Sequence, residues 1–273
     1  MERMNPFAVK REICEIGRRM YEREFVAAND GNISVRISDK EILTTPTGVS
    51  KGYMTPDMIV TVDMEGRVVE GSRKPSSELK MHLKVYRERA EVRAVVHAHP
   101  ITATAFSVCG LGLDKAFMPE LVVTLGLVPL ATYATPSTDE VPDSISDYLA
   151  DYNAVLLAHH GALTWGRDLT EAYYRMESVE FSAKIVMAAR QIGDPNLIPC
   201  DKMPALVKIR EGLGIKGVVP ACGIAPAASA PGAGSAGSAG SAASGARASA
   251  AELEEIIAKV SERVSAAMGA RGR

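Results

Sequence analysis

The stretch Ala94-Val95-Val96-His97-Ala98-His99 places two histidines at the end of a short run of small and β-branched apolar residues. Such a run favours a strand covered on both faces, although periodicity alone does not separate it from a buried helix. In a strand, residues i and i+2 project from the same face, so His97 and His99 can reach one ion. A second apolar run, from Ala154 to His160, ends in the adjacent pair His159-His160.

These two runs hold four of the five histidines in the chain. A single buried histidine is more often a satisfied core residue than a ligand. Imidazole is nevertheless a good ligand for zinc and similar ions, and catalytic sites commonly combine three protein ligands with one open position. The concentration of four histidines therefore favours a metal site. The spacing alone leaves open whether His159 or His160 is the third ligand.

Strand-like and helix-like segments alternate on both sides of these runs. Such interleaving predicts a layered α/β domain. The predicted strands lie at 33–37, 42–45, in a hairpin at 59–69, and at 94–99 and 154–160, and the predicted helices lie around 13–20, at 76–89 and at 170–192. The last helix has Asp168 or Thr170 as its candidate N-cap.

The bulk composition excludes several classes of protein. The chain has 273 residues, is 47% hydrophobic and carries a formal net charge of -2. It has no long cluster of basic residues, so nucleic acid is not an expected partner. No apolar stretch is long enough to span a bilayer, and the N-terminus lacks the apolar region of a secretory signal. The four cysteines are widely spaced, which is typical of reduced thiols, and we expect a cytoplasmic protein.

The composition changes abruptly near the C-terminus. Residues 225–249 are almost entirely Ala, Gly and Ser, a composition typical of a flexible linker. Residues 250–273 then form an amphipathic helical pattern, with an apolar stripe that includes Leu253, Ile257 and Val264. Such a helix is marginal alone in water. It therefore predicts a partner surface, while folding back onto the domain formed by residues 1–224 is the alternative.

Three turn-like segments carry hydrogen-bond donors suited to an anion. They are Gly31-Asn32, Thr45-Pro46-Thr47-Gly48 and Pro75-Ser76-Ser77-Glu78. The last one opens a predicted helix, where free N–H groups and hydroxyls can bind phosphate. Taken singly, each segment could also be an ordinary turn or helix start, because turns of this composition are common.

In this order, the motifs resemble the class II aldolase/adducin family, most closely its fuculose-1-phosphate aldolase branch. The segments that carry the resemblance are Gly31-Asn32-Ile33-Ser34-Val35-Arg36, Thr45-Pro46-Thr47-Gly48, Pro75-Ser76-Ser77-Glu78, His97-Ala98-His99 and His159-His160-Gly161. The resemblance implies a three-layer α/β/α domain with a central mixed sheet, assembled as a homotetramer. It also implies zinc-dependent retro-aldol cleavage of a ketose 1-phosphate of the fuculose or rhamnulose type.

The resemblance also assigns roles to individual residues. It implies that zinc lies on His97, His99 and His160, with Glu78 as a further ligand when substrate is absent. Glu78 is then the acid/base at the carbon that becomes part of dihydroxyacetone phosphate. The implied phosphate-binding residues are Asn32, Thr47, Gly48, Ser76 and Ser77.

The chain departs from the family pattern at the aldehyde end of the substrate. The pattern supplies one tyrosine in the stretch after the His-x-His motif and one near the end of the domain. Here residues 116–120 and 206–216 contain no tyrosine. Glu120 lies in the first of these regions, and we expect it to contribute at that end.

Three other functions compete with the aldolase. Within the family, a ribulose-5-phosphate 4-epimerase-like enzyme would re-form the same bond after rotating the aldehyde, and a dehydratase would expel a hydroxyl. The glutamate at position 78 favours the aldolase, since the epimerase pattern tends to have aspartate there. A non-catalytic adducin-like module would be expected to lose the metal histidines.

The C-terminal linker and helix resemble an encapsulation peptide, which implies a microcompartment shell protein as partner and lactaldehyde as the confined product.

Overall fold

Eight strands form one mixed sheet in the part of the chain, residues 3–221, that this computed structural model describes. The strands are β1 (Asn32–Arg36), β2 (Ile42–Thr44), β3 (Val60–Val62), β4 (Val68–Glu70), β5 (Ala94–Ala98), β6 (Leu130–Ala131), β7 (Ala154–Leu157) and β8 (Gly161–Gly166). Their order is β4-β3-β2-β1-β5-β8-β7-β6. Neighbours are antiparallel except β6 and β7, which are parallel.

Helices cover both faces of this sheet. They are α1 (Pro6–Glu22), α2 (Leu79–Glu88), α3 (Ile101–Val108), α4 (Glu140–Leu149), α5 (Leu169–Ile192) and α6 (Met203–Gly212), with a π-helical turn at Leu121–Leu125. Apolar residues of α1, α3 and α5 share one core with one face of the sheet, and those of α2 and α4 share a second core with the other. The predicted three-layer α/β/α architecture is therefore confirmed.

The central strand β5 shows how the two cores position the histidines. Val96 and Ala98 contribute to the core that contains α1, α3 and α5, while Val95 contributes to the core that contains α2. Because successive side chains in a strand alternate between faces, His97 shares the face of Val95 and is directed towards α2. The strand is buried on both faces, as its composition predicts.

Most predicted elements are present with small shifts at their ends. The helical spacing near the N-terminus is confirmed by α1, which buries Ile13, Ile16, Gly17 and Met20. The hairpin around residues 65–66 is the antiparallel pair β3–β4. Helix α5 begins after Asp168, whose side chain accepts a hydrogen bond from the Glu171 N–H at 2.7 Å. Helix α2 begins at Leu79, three residues later than expected, because residues 76–78 form a turn before it.

One strand differs from the sequence expectation. The run expected to continue to His160 ends at Leu157, and the chain reverses over residues 158–160 into β8, which lies between β5 and β7. The reversal is possible because His159 adopts a left-handed conformation with φ of 57°. Left-handed residues are usually glycine or asparagine, so the residue types around this turn do not mark it.

The predicted linker at 225–249 and helix at 250–273 lie outside the described residues. Among residues 3–221, none of the helices combines the length and hydropathy that crossing a membrane requires.

Candidate active site

Three histidines converge where β5 ends and the β7–β8 turn begins. One ring nitrogen from each of His97, His99 and His160 lies within 4.8 Å of the others. The His97 and His99 Nε2 atoms are 3.1 Å apart. The three ring centroids are 4.8 to 5.1 Å from one another, so the rings surround a common point. The structure thus brings together the three histidines that the resemblance implies as ligands.

The tautomer of His97 suits a metal ligand. Its Nδ1 lies 3.0 Å from the carbonyl oxygen of Ala162. A carbonyl can only accept a hydrogen bond, so Nδ1 carries the proton and Nε2 presents its lone pair to the other histidines. Two nitrogens bound to one tetrahedral zinc ion lie roughly 3.3 Å apart, close to the separation of the His97 and His99 nitrogens. The donor set therefore fits a divalent cation.

The backbone around His99 and His160 is held tightly. The His99 N–H donates to the Phe25 carbonyl at 2.9 Å, and His99 Nδ1 is 3.6 Å from a carboxylate oxygen of Asp30. Gly161 allows the β7–β8 turn to approach β5, since a Cβ on it would lie 2.4 Å from the Ala98 carbonyl and 2.7 Å from the His99 ring. This close approach brings His160 next to His99.

Glu78 connects the histidines to the first strand. Its Oε1 lies 3.0 Å from His160 Nε2, and its Oε2 lies 3.5 Å from His97 Nε2. The Oε2 atom also accepts a hydrogen bond from Asn32 Nδ2 at 2.8 Å. The carboxylate is only 14% exposed. Glu78 can therefore ligate a cation or move a proton beside it, as the resemblance implies.

The charges within this cluster affect each other's ionisation. Burial alone would raise the pKa of Glu78, but the surrounding imidazoles of His97, His160 and His99 outweigh it and hold the pKa well below its usual range. Burial lowers the pKa of His97 far below that of a free imidazole, and it also lowers that of His99. A carboxylate grouped with imidazole nitrogens is a donor set that binds a divalent cation.

The segments proposed for phosphate lie together next to this cluster. Pro46 and Pro75 form an isolated β-bridge. The Thr47 N–H donates to the Lys74 carbonyl at 3.0 Å, and the Ser76 N–H donates to the Thr45 carbonyl at 3.2 Å. Of the five candidates, Asn32 is buried, Ser76 is half-buried, and Thr47, Gly48 and Ser77 are exposed.

A buried polar chain lies behind Glu78, and of its members only Ser34 belongs to a segment that carries the family resemblance. Ser34 Oγ is 2.7 Å from His82 Nδ1 and 2.8 Å from the Tyr86 hydroxyl. Burial lowers the pKa of His82 to about 3, so this histidine is neutral. His82 and Tyr86 recur on α2 at i+4 and i+8 from Glu78, so helical periodicity is the sequence signal that could have found this chain.

Tyr133 marks the outer edge of the site, and no sequence motif distinguishes it. Strands β6 and β7 are parallel, with Ala131 opposite Leu157, so Tyr133 and His159 emerge at the same edge of the sheet. Their rings are 6.2 Å apart and steeply inclined. Four residues later, Ser137 Oγ donates to Ser77 Oγ at 3.1 Å. The loop from 133 to 137 therefore runs from the histidine turn to the phosphate segment.

Glu120 lies at the start of the π-helical turn with an exposed side chain. Within residues 3–221, no hydrogen bond or ion pair joins its carboxylate to His97, His99 or His160. The structure therefore does not bring Glu120 into the histidine cluster, and its role stays a prediction.

The three histidines, the adjacent carboxylate and the candidate phosphate turns lie together at one end of the central strands. The family model for the class II aldolase and adducin N-terminal domain matches residues 11–187, which include every one of these groups. The chain belongs to the class II aldolase and adducin family.

Individual relatives of this class II aldolase-family protein act on different compounds. The chain is 34% identical over 207 residues to a 5-deoxy-D-ribulose 1-phosphate aldolase of Bacillus thuringiensis serovar kurstaki, covering 75% of this chain and 96% of that protein. It is 35% identical over 187 residues to a 3-oxo-tetronate 4-phosphate decarboxylase of Haemophilus influenzae, covering 67% and 88%. A solved L-fuculose 1-phosphate aldolase matches with a TM-score of 0.69 and 32% identity, covering 76% and 96%.

These comparisons confirm the sequence prediction at the level of the family. The predicted enzyme class, an aldolase-type lyase, is confirmed. The similarity to a fuculose-phosphate aldolase is confirmed as well. The relatives differ in substrate, so membership of the family does not by itself identify the substrate of this chain.

Proposed function

We propose that this protein cleaves the C3–C4 bond of a ketose 1-phosphate of the fuculose or rhamnulose type, releasing dihydroxyacetone phosphate and lactaldehyde. The observation that carries the proposal is the contact between one carboxylate and the histidine cluster: Glu78 lies 3.0 Å from His160 and 3.5 Å from His97. A base held beside a cation site suits chemistry at a carbon next to a ketone.

The chain's own residues would divide the work between the two ends of the substrate. Asn32, Thr47, Gly48, Ser76 and Ser77 would bind the phosphate through amide, hydroxyl and backbone donors. Glu78 would carry the proton at the carbon that becomes part of dihydroxyacetone phosphate, and its hydrogen bond from Asn32 would orient it. Zinc, held by His97, His99 and His160, would polarise the ketone and the neighbouring hydroxyl.

A second candidate reaction is decarboxylation of a 3-oxo-tetronate 4-phosphate. Two observations favour it: the similarity to the decarboxylase matches that to the aldolases, and residues 116–120 and 206–216 lack tyrosine. Loss of CO₂ leaves an electron pair beside the ketone, and protonation then gives dihydroxyacetone phosphate. Carbon–carbon cleavage of the ketose 1-phosphate leaves the same electron pair. Only the leaving group differs: the aldehyde forms as the C4 hydroxyl gives its proton to a base, whereas CO₂ leaves from a carboxylate without any proton transfer.

The aldolase requires a group at the oxygen of the departing aldehyde. Glu120 is our candidate from the sequence. Tyr133 is a second candidate from the structure, because it is 62% exposed at the edge of the histidine turn. If Glu120 has this role, Glu120→Ala should lower turnover of the ketose 1-phosphate. Undiminished turnover would reject Glu120, and a loss confined to Tyr133→Phe would assign the role to Tyr133.

The proposal extends to assembly and location. Exposed apolar side chains on α3 and α5, among them Ile101, Tyr174 and Phe181, support contact between copies of the chain, and we propose that these copies form a homotetramer. Residues 225–249 would be a tether and residues 250–273 would bind a shell protein, so that the enzyme works in the cytoplasm inside a microcompartment. Deleting the chain from Ala225 onward should preserve activity and abolish co-purification with shell proteins. Unchanged co-purification would reject this targeting.

One panel of substrates tests the catalytic proposal. Ketose 1-phosphates, ribulose 5-phosphate and a 3-oxo-tetronate 4-phosphate are assayed for release of dihydroxyacetone phosphate, for CO₂, for epimerisation and for dehydration. The measurements are made with and without chelator, alongside metal analysis of the purified protein. We expect chelator-sensitive release of dihydroxyacetone phosphate from a ketose 1-phosphate and bound zinc. Release of dihydroxyacetone phosphate only from the 3-oxo-tetronate 4-phosphate, together with CO₂, would favour the decarboxylase. Epimerisation or dehydration without carbon–carbon cleavage would reject both the aldolase and the decarboxylase.

A further inference from the structure

Lys51 is a buried cation close to the candidate phosphate turns. It begins a short 3₁₀ turn, Lys51–Tyr53, and is 1% exposed. Its ammonium donates to the Asn29 carbonyl at 2.8 Å and to the Val49 carbonyl at 2.7 Å. Within residues 3–221, no carboxylate lies within ion-pair distance of it. A buried lysine without an ion-pair partner is unusual in a folded protein.

The two carbonyls belong to the two turns that precede and follow the phosphate candidates. Asn29 lies three residues before Asn32, in the chain segment that enters β1. Val49 directly follows Gly48. The ammonium therefore joins the Asn29–Asn32 segment to the Thr47–Val49 segment, and both would have to hold their positions to bind one phosphate.

Tight packing against α1 fixes the lysine in this place. Gly17 of α1 faces the Lys51 backbone, and a Cβ on it would lie 2.7 Å from the Lys51 carbonyl. Because position 17 has no side chain, α1 can pack directly against the turn that carries Lys51. Because the backbone of this turn packs tightly against α1, Lys51 is held in place and differs from a flexible lysine on the surface.

The candidate phosphate site lacks a positive charge that Lys51 could supply. All five candidate phosphate residues are neutral, whereas a phosphate monoester is close to a dianion at neutral pH. Burial lowers the pKa of Lys51 to about 8, so it stays largely protonated at neutral pH. An ammonium has three donors, and the two carbonyls use two of them. Within residues 3–221 the ammonium has no third hydrogen-bond partner, so one donor is unused beside the segments that contain Asn32 and Gly48.

We infer that Lys51 is a positioning residue for a phosphate monoester, joining the two turns and supplying the positive charge that the neutral phosphate residues lack. This inference rests on the proposed function for the identity of the substrate. Binding of inorganic phosphate alone tests it independently, because that measurement requires no turnover.

The experiment compares Lys51→Met, which removes the donors and the charge, with Lys51→Gln, which keeps amide donors and removes the charge. Lys80→Met is the matched control, because Lys80 is an exposed lysine paired with Asp139. Binding of inorganic phosphate to the metal-loaded full-length protein is measured by calorimetry. KM and kcat are measured for exchange of the carbon-bound proton of dihydroxyacetone phosphate with solvent. Unphosphorylated dihydroxyacetone serves as a second probe, which lacks the phosphate.

We expect both Lys51 variants to weaken phosphate binding and raise KM by about 10-fold or more, the size of one lost charge-assisted hydrogen bond. The kcat value, the metal content and the response to unphosphorylated dihydroxyacetone should match those of Lys80→Met. Unchanged phosphate affinity in the folded Lys51→Gln protein would overturn the inference, as would an equal loss with both probes. A wild-type protein that binds phosphate but exchanges no proton would instead overturn the proposed function.

Discussion

Asn32 and Glu78 are joined by a hydrogen bond of 2.8 Å between Nδ2 and Oε2. Asn32 also lies directly opposite His97 in the register of β1 and β5. The same strand pair therefore sets the position of a phosphate candidate, the carboxylate and a candidate metal ligand. Because β-ladder hydrogen bonds fix this register over four residue pairs, the groups are organised before a substrate binds, as catalysis by positioning requires.

The choice between the adjacent histidines can be tested directly. His160→Ala should remove the bound metal and lower activity by about 100-fold or more, since an outward-pointing neighbour cannot replace a lost ligand. His159→Asn is the control, because asparagine tolerates the left-handed φ of 57° at that position. It should retain the metal. Metal content is measured by elemental analysis, and loss of metal from His159→Asn alone would reverse the assignment.

The role of Glu78 in proton transfer can be tested without the chemistry of the departing aldehyde. Glu78→Gln should slow the exchange of the carbon-bound proton of dihydroxyacetone phosphate with solvent by about 100-fold or more, because that step needs the carboxylate. Exchange is followed by NMR in deuterated buffer at saturating zinc. Glu65→Gln, at the exposed tip of the β3–β4 hairpin, is the control. Unchanged exchange in Glu78→Gln would remove Glu78 from the reaction.

The histidine cluster could be predicted in part from local patterns. The strand period brings His97 and His99 to one side of β5, and this needs only the residue types of Ala94–His99. The position of His160 depends instead on the reversal at His159 and on strand β8, which inserts between β5 and β7. Neither feature has a signal in residue type, since the left-handed residue is a histidine. The third ligand could therefore be chosen only by resemblance.

The phosphate turns show the same division between local and long-range information. The residue types at 45–48 and 75–78 indicate turns that can bind anions. Their adjacency depends on the Pro46–Pro75 bridge and on hydrogen bonds across about thirty residues of chain. Lys51 could not be recognised at all, because a lone lysine in a sequence is normally exposed. Its burial follows from the packing of α1 on the turn.

The close approach of the β7–β8 turn to β5 makes Gly161 a sensitive position. In Gly161→Ala the new Cβ would meet the Ala98 carbonyl at 2.4 Å and the His99 ring at 2.7 Å. Overpacking of this kind costs about 1–3 kcal/mol, and we expect weaker metal binding because His99 and His160 must separate. Gly212→Ala is the control, since nothing lies within 4 Å of its Cβ. Thermal unfolding and metal titration should show the loss in Gly161→Ala only.

The buried ammonium of Lys51 should leave a signature in the pH dependence of stability. Burial lowers its pKa from 10.5 to about 8, while the charges of Asp30 and Glu78 act in the opposite direction. Between these two values the unfolded chain binds a proton that the folded protein does not, so this group makes stability rise with pH. Below about pH 8 both states are protonated, and the cost of burying the charge is felt in full.

The measurable quantity is the difference in unfolding free energy between wild type and Lys51→Met. From the two pKa values, that difference should shift in favour of the wild type by about 3 kcal/mol between pH 8 and pH 10.5. Urea unfolding at several pH values measures it, and the titrations of the tyrosines and the other lysines, which are common to both proteins, cancel. A difference that stays flat through this window would show that Lys51 keeps its ordinary pKa. The cost of burying the ammonium would then be offset by the charges of Asp30 and Glu78, or avoided by contact with solvent.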